Sequence, residues 1–425
     1  MKKNTRFFLL SLLAAVLFIT ACSNDCTDKV EAQNESASEA EASGYLGLSE
    51  RQAKMIAPLN DFALSLFRQA SMQSSGRSAL VSPLSAAFVL GMVGEGATGD
   101  ARQEILDAMG MDNGGFDAVS RMLGRIAANS ASVDAQVAVA FANNITVKNG
   151  FKPSDSYVKA VRDNYGASVL SMDFSSHEAV QLINAWSREQ SHGLIPELVD
   201  RLDPLTVMCV LNATYFKGAW KDAFDKSLSK SRAFYDGSRR KGIMMMHRTA
   251  NAEYCEQEGF KALRLPFGNG RFAMTFILAD KQDGLSQTLE SLSGKSLAQL
   301  PFEDREVDMT LPVFLTESSS ELKPMLEGMG IRKIFDPQQS CLTDVVENIG
   351  DNPLYVSLIN QKASLGMNEE GSEGAAVTEA EIMFGADNDG QPNQRAVFCA
   401  DHPFLYFVSE VSSGSIYLIG QFCGD

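Results

Sequence analysis

Residues 368–385 have the sequence NEEGSEGAAVTEAEIMFG and lie near the C-terminal end of the chain. Every second position from Ser372 onward holds a small or apolar residue, whereas the intervening positions include three glutamates. Side chains alternate between the two faces of a strand, so this spacing predicts a strand with one face suited to burial and one suited to water. The positions of the buried register are Ser372, Gly374, Ala376, Thr378, Ala380 and Ile382.

The same stretch also has the composition of a long exposed loop. It is acidic and rich in Gly and Ala, and residues 386–394 (ADNDGQPNQ), which follow it, favour turns. A segment that is patterned as a buried strand but placed in a loop indicates conditional insertion into a sheet. A surface loop whose residues happen to alternate is the simpler interpretation of the same pattern.

The length and composition of the chain favour one large folded unit. It has 425 residues, 45% of them hydrophobic, and no linker rich in Pro and Ser interrupts it after Leu48. The formal net charge of −16 argues against nucleic acids and anionic membrane surfaces as partners, because both bind clustered Lys and Arg. We therefore expect a monomer that binds no nucleic acid.

The N-terminus has the features of an export signal. Residues 1–6 contain three basic residues and precede an apolar run over residues 7–19, which is too short to span a bilayer once cleavage is allowed for. The sequence ITAC at residues 19–22 resembles the lipobox of bacterial lipoproteins, which implies lipid modification of Cys22. Several acyl chains on one residue anchor a protein firmly, and Ser23 is compatible with export to the outer membrane. The alternative is an ordinary cleaved signal in which Cys22 has no role.

The rest of the chain divides into a tether and a domain. Residues 24–43 are mostly Glu, Ser, Ala, Asn and Asp, with one valine as the only large aliphatic residue, so they cannot bury a core. We expect residues 1–21 to be a lipoprotein signal peptide, residues 22–47 a disordered tether and residues 48–425 a folded domain.

The cysteines after Cys22 lack the CxxC spacing of a zinc or redox site. We interpret them as mostly free, small core residues, and one disulfide stays open as an alternative in an oxidising compartment. These cysteines are Cys26, Cys209, Cys255, Cys341, Cys399 and Cys423.

Hydrophobic periodicity predicts helices mainly in the N-terminal half and strands mainly in the C-terminal half. Ser49 is the expected N-cap of the first helix. Residues 207–216 (VMCVLNATYF) predict a strand covered on both faces, and Asn212 within it needs hydrogen-bond partners, which indicates a structural role. Residues 319–329 are predicted as a helix that Gly330 ends. The pattern as a whole predicts an α+β domain with large sheets.

The chain contains no recognisable catalytic, metal or cofactor motif. Its four histidines form no HExxH pair, and no G-x-S-x-G turn is present. Residues 94–99 (GEGATG) match the dinucleotide fingerprint formally, but they follow a helix and so indicate a helix C-cap and turn. Residues 387–390 (DNDG) lack the later ligands of a calcium loop. We expect no cofactor, no metal and no enzyme, with a surface hydrolase as an alternative that only a triad assembled from distant residues would support.

Five segments of the chain have the character of family signatures. The segments are SPLS at residues 82–85, LNATYFKGAW at 211–220, LPVF at 311–314, NEEGSE at 368–373 and ADHPFLYF at 400–407. They resemble the signatures of the serpin family of protease inhibitors. They occur in the serpin order, and the resemblance extends from about Leu48 to the C-terminus, which makes it specific.

The resemblance implies a serpin fold of three β-sheets, a helical cluster and an exposed reactive loop. A serine protease that cuts this loop forms an acyl-enzyme, and the N-terminal part of the loop then inserts as a strand into the main sheet. The protease is dragged along and distorted, and loss of one oxyanion donor alone slows a protease by about 10²–10³. Papain-like cysteine proteases are alternative targets, because the same trap works on a thioester.

The resemblance also implies roles for individual residues. The small or apolar register named above becomes the inserting face, and the absence of charge from it favours an inhibitor over a non-inhibitory binding protein on the same scaffold. The hinge of the loop comprises Glu369, Glu370, Gly371, Ser372, Glu373, Gly374, Ala375 and Ala376. The polar cluster beneath the opening of the sheet comprises Ser82, Ser85, Asn212 and Gln361.

Two positions depart from the family pattern. Val313 stands where members often have a basic residue that pairs with the glutamate matching Glu369, so this ion pair is not expected here. Gln361 stands where many members have a histidine, and it keeps the capacity to donate and accept hydrogen bonds.

Family spacing from Gly371 places the scissile bond in a short window, which comprises Met383, Phe384, Gly385 and Ala386. Phe384 suits chymotrypsin-like targets and Met383 suits elastase-like ones. The window contains no Arg or Lys, and Arg395 lies too far along the chain, so trypsin-like targets are not expected.

Overall fold

The computed structural model describes residues 44–111, 115–190, 193, 197–203, 205–347, 354–372 and 395–425. The end of the predicted tether is included, and Leu46 within it is 1% exposed. The carbonyl of Leu46 accepts a hydrogen bond from Asn129, and that of Gly47 accepts one from Arg125. The predicted signal peptide, Cys22 and Cys26 lie outside the described residues, so the domain boundaries stay predictions.

The first helix begins at the capping residue that the sequence predicts. Ser49 caps the first helix in a capping box with Gln52, and the hydroxyls of Ser82 and Ser154 cap two later helices. In the described ranges the α-helices are α1 (Glu50–Lys54), α2 (Ile56–Ser74), α3 (Pro83–Gly96), α4 (Gly99–Ala108), α5 (Phe116–Ser130), α6 (Asp155–Tyr165), α7 (His177–Gln190), α8 (Leu285–Ser291), α9 (Gly294–Ala298) and α10 (Lys323–Gly328). Residues 94–99 therefore end α3 and begin α4, as the helix C-cap prediction requires.

Strands dominate the second half of the chain, which gives the predicted α+β class. They are β1 (Ala79–Val81), β2 (Val137–Lys148), β3 (Ser168–Met172), β4 (Met208–Ala219), β5 (Lys230–Tyr235), β6 (Arg240–Gln257), β7 (Phe260–Phe267), β8 (Phe272–Ala279), β9 (Glu303–Pro312), β10 (Phe314–Glu321), β11 (Leu358–Met367), β12 (Gly371–Ser372), β13 (Ala396–Cys399), β14 (Phe404–Glu410) and β15 (Ile416–Phe422). Two 3₁₀ turns, Lys226–Leu228 and Lys333–Phe335, complete the regular structure of the described residues.

A six-stranded sheet has the order β10-β11-β4-β2-β3, with the short β12 paired to β4 beside β11. Strand β4 is covered on both faces, as the sequence predicts. Met208 and Val210 point into the main core, whereas Cys209 and Leu211 pack with Ile183 of α7 in a second apolar cluster. This strand is therefore the centre of the sheet.

A network of nine strands has the order β1-β15-β14-β8-β7-β6-β9-β13, and β5 also pairs with β6. Strand β6 pairs with β5 near its start and with β7 near its end. It therefore joins two strand groups into one hydrogen-bonded network, and these two groups with the six-stranded sheet account for the three sheets expected. Helix α3 contacts β4 of the one sheet and β15 of the other, which places the main core between them.

The prediction of a helix over residues 319–329 is wrong in its first part. Strand β10 continues to Glu321, where it pairs with Asn360, and α10 begins only at Lys323, next to a proline in its first turn. Pairing with β11 overrides the local helical pattern, because Ser319 lies opposite Lys362 in the ladder.

Among the described helices none is both long and apolar enough to cross a bilayer.

The five cysteines within the described residues are free. Cys209, Cys255 and Cys423 are buried, in agreement with their interpretation as core residues, whereas Cys341 is exposed. Burial raises the pKa of the Cys209 thiol to about 12, so this thiol stays protonated at neutral pH.

Candidate functional site

The chain reverses direction between β11 and β12, at the hinge predicted from the sequence. The side-chain oxygen of Asn368 accepts hydrogen bonds from the backbone N–H groups of Glu370 (2.8 Å) and Gly371 (3.1 Å). The backbone N–H of Asn368 donates to the Gly371 carbonyl at 3.0 Å. These bonds form a tight turn. The turn brings Gly371 opposite Ala219, so that the start of the predicted loop lies within the sheet.

Trp220, which directly follows β4, holds this turn in place. Its backbone N–H donates to the carbonyl of Glu370 at 2.9 Å, and its indole Nε1 donates to the carbonyl of Asn368 at 2.9 Å. The indole ring stacks on Phe267 with ring centroids 4.5 Å apart and an interplanar angle of 7°. A second clamp comes from Phe224, whose N–H donates to the carbonyl of Glu369 at 2.9 Å.

Glycine is required at position 371 for two reasons. Its φ is +146°, in the region that L side chains rarely adopt, and a Cβ there would lie 2.3 Å from the carbonyl oxygen of Gly218. Ser372 follows it and is fully buried, and its hydroxyl has no hydrogen-bond partner within the described part of the chain. Strand β2 occupies one edge of β4. Strand β12 therefore pairs with the other edge, and Ser372 lies along the same edge of β4 as β11 does.

Strands β4 and β11 pair along only part of their length. Their parallel ladder runs from Cys209 and Leu358 to Ala213 and Lys362. Beyond it, among the described residues, β11 continues with β10 alone and β4 with β2 alone, until β12 pairs with Gly218 and Ala219. Within the described residues a slot therefore separates the two strands over residues 214–217 of β4, and the hinge lies at its open end.

The polar cluster predicted beneath the opening of the sheet is assembled in the structure. Gln361 of β11 exchanges two hydrogen bonds with the backbone of Ser82, at 2.9 and 2.8 Å. Ser85 donates to Oδ1 of Asn212 at 2.5 Å, and Ser82 donates to the carbonyl of Tyr417 at 2.9 Å. The four predicted residues are at most 3% exposed, and they connect α3 to both strands that border the slot.

Two members of this cluster were missed by the sequence reasoning. Asn143 of β2 accepts from Nδ2 of Asn212 at 2.6 Å, and Thr214 donates to Oδ1 of Asn212 at 2.8 Å. Both residues are buried. Each is a polar residue within an apolar strand, the same signal that drew attention to Asn212.

Glu369 has a partner that the sequence did not predict. Val313 supplies no cation, and the Glu369 carboxylate instead accepts a hydrogen bond from the Ser229 hydroxyl at 2.5 Å. The remaining hinge residues Glu373, Gly374, Ala375 and Ala376 lie outside the described residues. So do Thr378, Ala380 and Ile382 of the inserting face and the scissile window Met383, Phe384, Gly385 and Ala386.

Arg395 and His402, the latter in the family segment at residues 400–407, both have structural partners. The Nε2–H of His402 donates to the carbonyl of Ala279 at 2.9 Å, and Nδ1 lies 2.8 Å from Asp401 Oδ1, which fixes a 6% exposed ring. Arg395 forms two hydrogen bonds of 3.1 Å with the carboxylate of Glu306, at the start of β13.

Comparison with known proteins identifies the family. The model of the family described as Serpin (serine protease inhibitor) matches residues 57–424. The chain belongs to the serpin family. Among its relatives, Iripin-3 of Ixodes ricinus is 30% identical over 367 residues, which cover 82% of this chain and 89% of that protein. The leukocyte elastase inhibitor of Homo sapiens is 29% identical over 379 residues, which cover 85% of this serpin and 97% of that protein.

Solved structures agree with the assignment. The crystal structure of Serpin48 of the insect Tenebrio molitor matches this serpin with a TM-score of 0.78 at 27% identity, and it covers 89% of this chain and 100% of that one. The predicted serpin fold is confirmed. The names of relatives such as the leukocyte elastase inhibitor describe them as inhibitors.

Proposed function

We propose that this serpin inhibits chymotrypsin-like or elastase-like serine proteases by inserting residues 372–382 between β4 and β11. The inserted strand fills the slot and then replaces the ladder that joins the two strands. The observation that carries the proposal is the pairing of Ser372 with Gly218 at the mouth of the slot. An antiparallel strand that continues this register descends β4 one residue at a time. Its residue 382 then lies opposite Met208, the first residue of β4.

The register also sets which side chains enter the core. Residues of an antiparallel pair that lie opposite each other point to the same face of the sheet. The residues of β4 that would lie opposite Gly374, Ala376, Thr378, Ala380 and Ile382 are Phe216, Thr214, Asn212, Val210 and Met208, all of them at most 5% exposed. The uncharged register therefore meets the face of β4 that points into the main core. In the other register, Glu373 meets the half-buried Lys217, a pair of opposite charge.

The length of the inserted strand explains how the protease is trapped. Residues 372–382 span about 36 Å at roughly 3.3 Å per residue. The scissile window follows immediately, so an acyl-enzyme formed there is carried from one end of β4 to the other. Insertion must precede deacylation, which leaves milliseconds to seconds at turnover rates of about 1–10³ s⁻¹.

The target class rests on the side chains of the window and on the relatives. Phe384 would fill the pocket of a chymotrypsin-like protease, and Met383 that of an elastase-like one. The leukocyte elastase inhibitor is a relative whose name agrees with the second class. Papain-like cysteine proteases are further targets to test, because thioesters permit the same trap.

The proposal is tested by mixing the serpin with chymotrypsin and with elastase. We expect an SDS-stable covalent complex, and mass spectrometry of the released C-terminal fragment identifies the cut bond. The nicked protein should melt at a higher temperature than the uncut one. Clean cleavage without a complex would instead support a binding protein on the serpin scaffold, and turnover that survives replacement of residues 384–386 would support a hydrolase.

A matched pair of variants separates insertion from simple loop damage. Thr378→Arg places a charge opposite the fully buried Asn212, and we expect it to convert the inhibitor into a substrate. Ala375→Arg places the same charge opposite the half-buried Tyr215 and should still form the complex. Undiminished complex formation by Thr378→Arg would contradict insertion in this register.

We also propose that the protein is a bacterial lipoprotein, anchored in the outer membrane through Cys22 and the tether that follows. The lipobox-like sequence at residues 19–22 supports this proposal. Metabolic labelling with a palmitate analogue should modify the wild-type protein and leave Cys22→Ser unlabelled. Equal labelling of both proteins would exclude Cys22 as the lipid attachment site.

A further inference from the structure

A cavity of about 500 Å³ lies beside the hinge. Glu369 and Glu370 of the hinge form one wall, and Met244 and Val313 give it an apolar surface. Lys226, Ser229 and Asn368 complete the lining among the described residues. The polar cluster beneath the sheet takes no part in it, whereas the hinge supplies part of its lining.

The carboxylate of Glu369 is a buried charged group in the lining of this cavity. The residue is 8% exposed, and one carboxylate oxygen accepts from the Ser229 hydroxyl. Within the described ranges no ion pair of this carboxylate is formed, and Ser229 is the only side chain bonded to it. Val313, whose side chain offers no charge, lines the cavity with it. A buried carboxylate with a single neutral donor is strongly stabilised by a cation that reaches it.

The chemistry of the lining specifies the ligand. A guanidinium group matches a carboxylate with two parallel hydrogen bonds, and a primary ammonium matches it as a point charge. Met244 and Val313 offer contacts for a short aliphatic chain, and the second carboxylate, Glu370, adds to the negative potential. We propose that this cavity binds a small organic cation, a guanidinium or primary ammonium on a short aliphatic chain, with Glu369 as its counter-ion.

Occupancy of the cavity affects the hinge directly. The carbonyls of Glu369 and Glu370 accept the hydrogen bonds from Phe224 and Trp220 that clamp the turn, and Ser372 follows two residues later. A cation paired with Glu369 fixes this turn and slows the movement of the residues behind it. This regulatory part rests on the proposed function, because it concerns the rate at which the loop inserts.

Binding is tested by isothermal titration calorimetry on the uncut protein, with n-butylguanidinium as ligand and n-butylurea as its neutral isostere. We expect saturable binding of the guanidinium, no binding of the urea, and at least a tenfold loss of affinity in Glu369→Gln. Lys226→Met removes a positive charge from an exposed residue of the wall, and we expect it to tighten binding. Equal affinity of wild type and Glu369→Gln, or equal binding of both ligands, would overturn the site.

Regulation is tested separately through the rate of covalent complex formation with chymotrypsin. Saturating n-butylguanidinium should slow the wild-type serpin at least twofold relative to Glu369→Gln, which controls for any effect of the compound on the protease. Binding without this difference would refute the regulatory part and leave the site intact. Absence of a covalent complex under every condition would refute the proposed function, whereas the calorimetric result would stand.

Discussion

Replacement of Gly371 by alanine tests whether the hinge is seated in the sheet as described. The Cβ would lie 2.3 Å from the carbonyl oxygen of Gly218 and 2.7 Å from Cα of Ala219. These are backbone atoms of a central strand that pairs with β2 on its other edge, so they cannot move aside. We therefore expect Gly371→Ala to expel the hinge from the slot.

The energy of this change is bounded by what seating contributes. Two ladder positions are lost, at about 1 kcal/mol for each net hydrogen bond. Exposure of the buried, unpartnered Ser372 hydroxyl returns part of this, since such a group costs about 1–3 kcal/mol when buried. The free energy of unfolding should thus fall by no more than about 2 kcal/mol, although the position of the hinge changes completely.

Gly237→Ala is the matched control for this substitution. Gly237 also has a positive φ, +92°, but a Cβ there meets nothing within 4 Å. Its replacement adds backbone strain of about 1–3 kcal/mol without a clash. Chemical denaturation alone should therefore not separate the two variants, because their expected losses overlap.

Fluorescence of Trp220 distinguishes the two variants. Its ring is 5% exposed and donates to the Asn368 carbonyl of the turn. In a Trp186→Phe background, which removes the only other tryptophan of the chain, Gly371→Ala should shift the emission of Trp220 to longer wavelength and Gly237→Ala should not. Unchanged emission from Gly371→Ala would refute the seated hinge.

Three further predictions concern the residues around the slot and one surface turn. Ser372→Ala should raise the free energy of unfolding by about 1 kcal/mol in chemical denaturation, because it removes a buried hydroxyl without a described partner. A loss of stability would instead show that this hydroxyl does form a hydrogen bond. Asn212→Ala should lower the free energy of unfolding by about 2–5 kcal/mol, because Ser85, Asn143 and Thr214 all lose their partner. Ser85→Ala breaks one of these bonds and should lower it by about 1 kcal/mol. Equal losses in the two variants would contradict a shared network. Hydrogen bonds from the Arg239 N–H and from Ser238 lower the pKa of Asp236 from 3.8 to about 2. The ionised Asp236 should therefore stabilise the folded protein relative to Asp236→Asn fully above about pH 4, and this advantage should vanish as the pH falls towards 2. Acid titrations of the stability of both proteins measure it.

Periodicity and capping chemistry were sufficient to predict the elements whose local signals agree with their packing. Strand β4 contains nearly all of the strand predicted over residues 207–216, and Ser49 caps α1 as expected. Strand β6 was missed because its pattern is polar and rich in Met, and its position depends on partners far along the chain. The same reason explains the error over residues 319–329, where pairing with β11 decides the structure.

The candidate site was only partly accessible to sequence reasoning. Asn212 was found because a polar residue in an apolar strand requires partners, but the identity of those partners depends on how α3 packs beneath the sheet. The entry of Gly371 and Ser372 into the sheet depends on the Asn368 turn and the Trp220 clamp, which no local pattern specifies. The hydrogen bond from Ser229 to Glu369 joins residues 140 positions apart and was likewise unpredictable.

The incomplete ladder between β4 and β11 also bears on how the molecule behaves at high concentration. Two facing rows of backbone donors and acceptors attract any chain segment of suitable pattern, and such open edges are a recognised route to aggregation. The segment of best fit is present in every neighbouring copy of the same polypeptide, so we expect intermolecular strand exchange to compete with the proposed intramolecular insertion. Gly371 and Ser372, which pair with Ala219 and Gly218, block entry of a foreign strand at this end of the slot. Variants that displace these two residues should form oligomers sooner on warming.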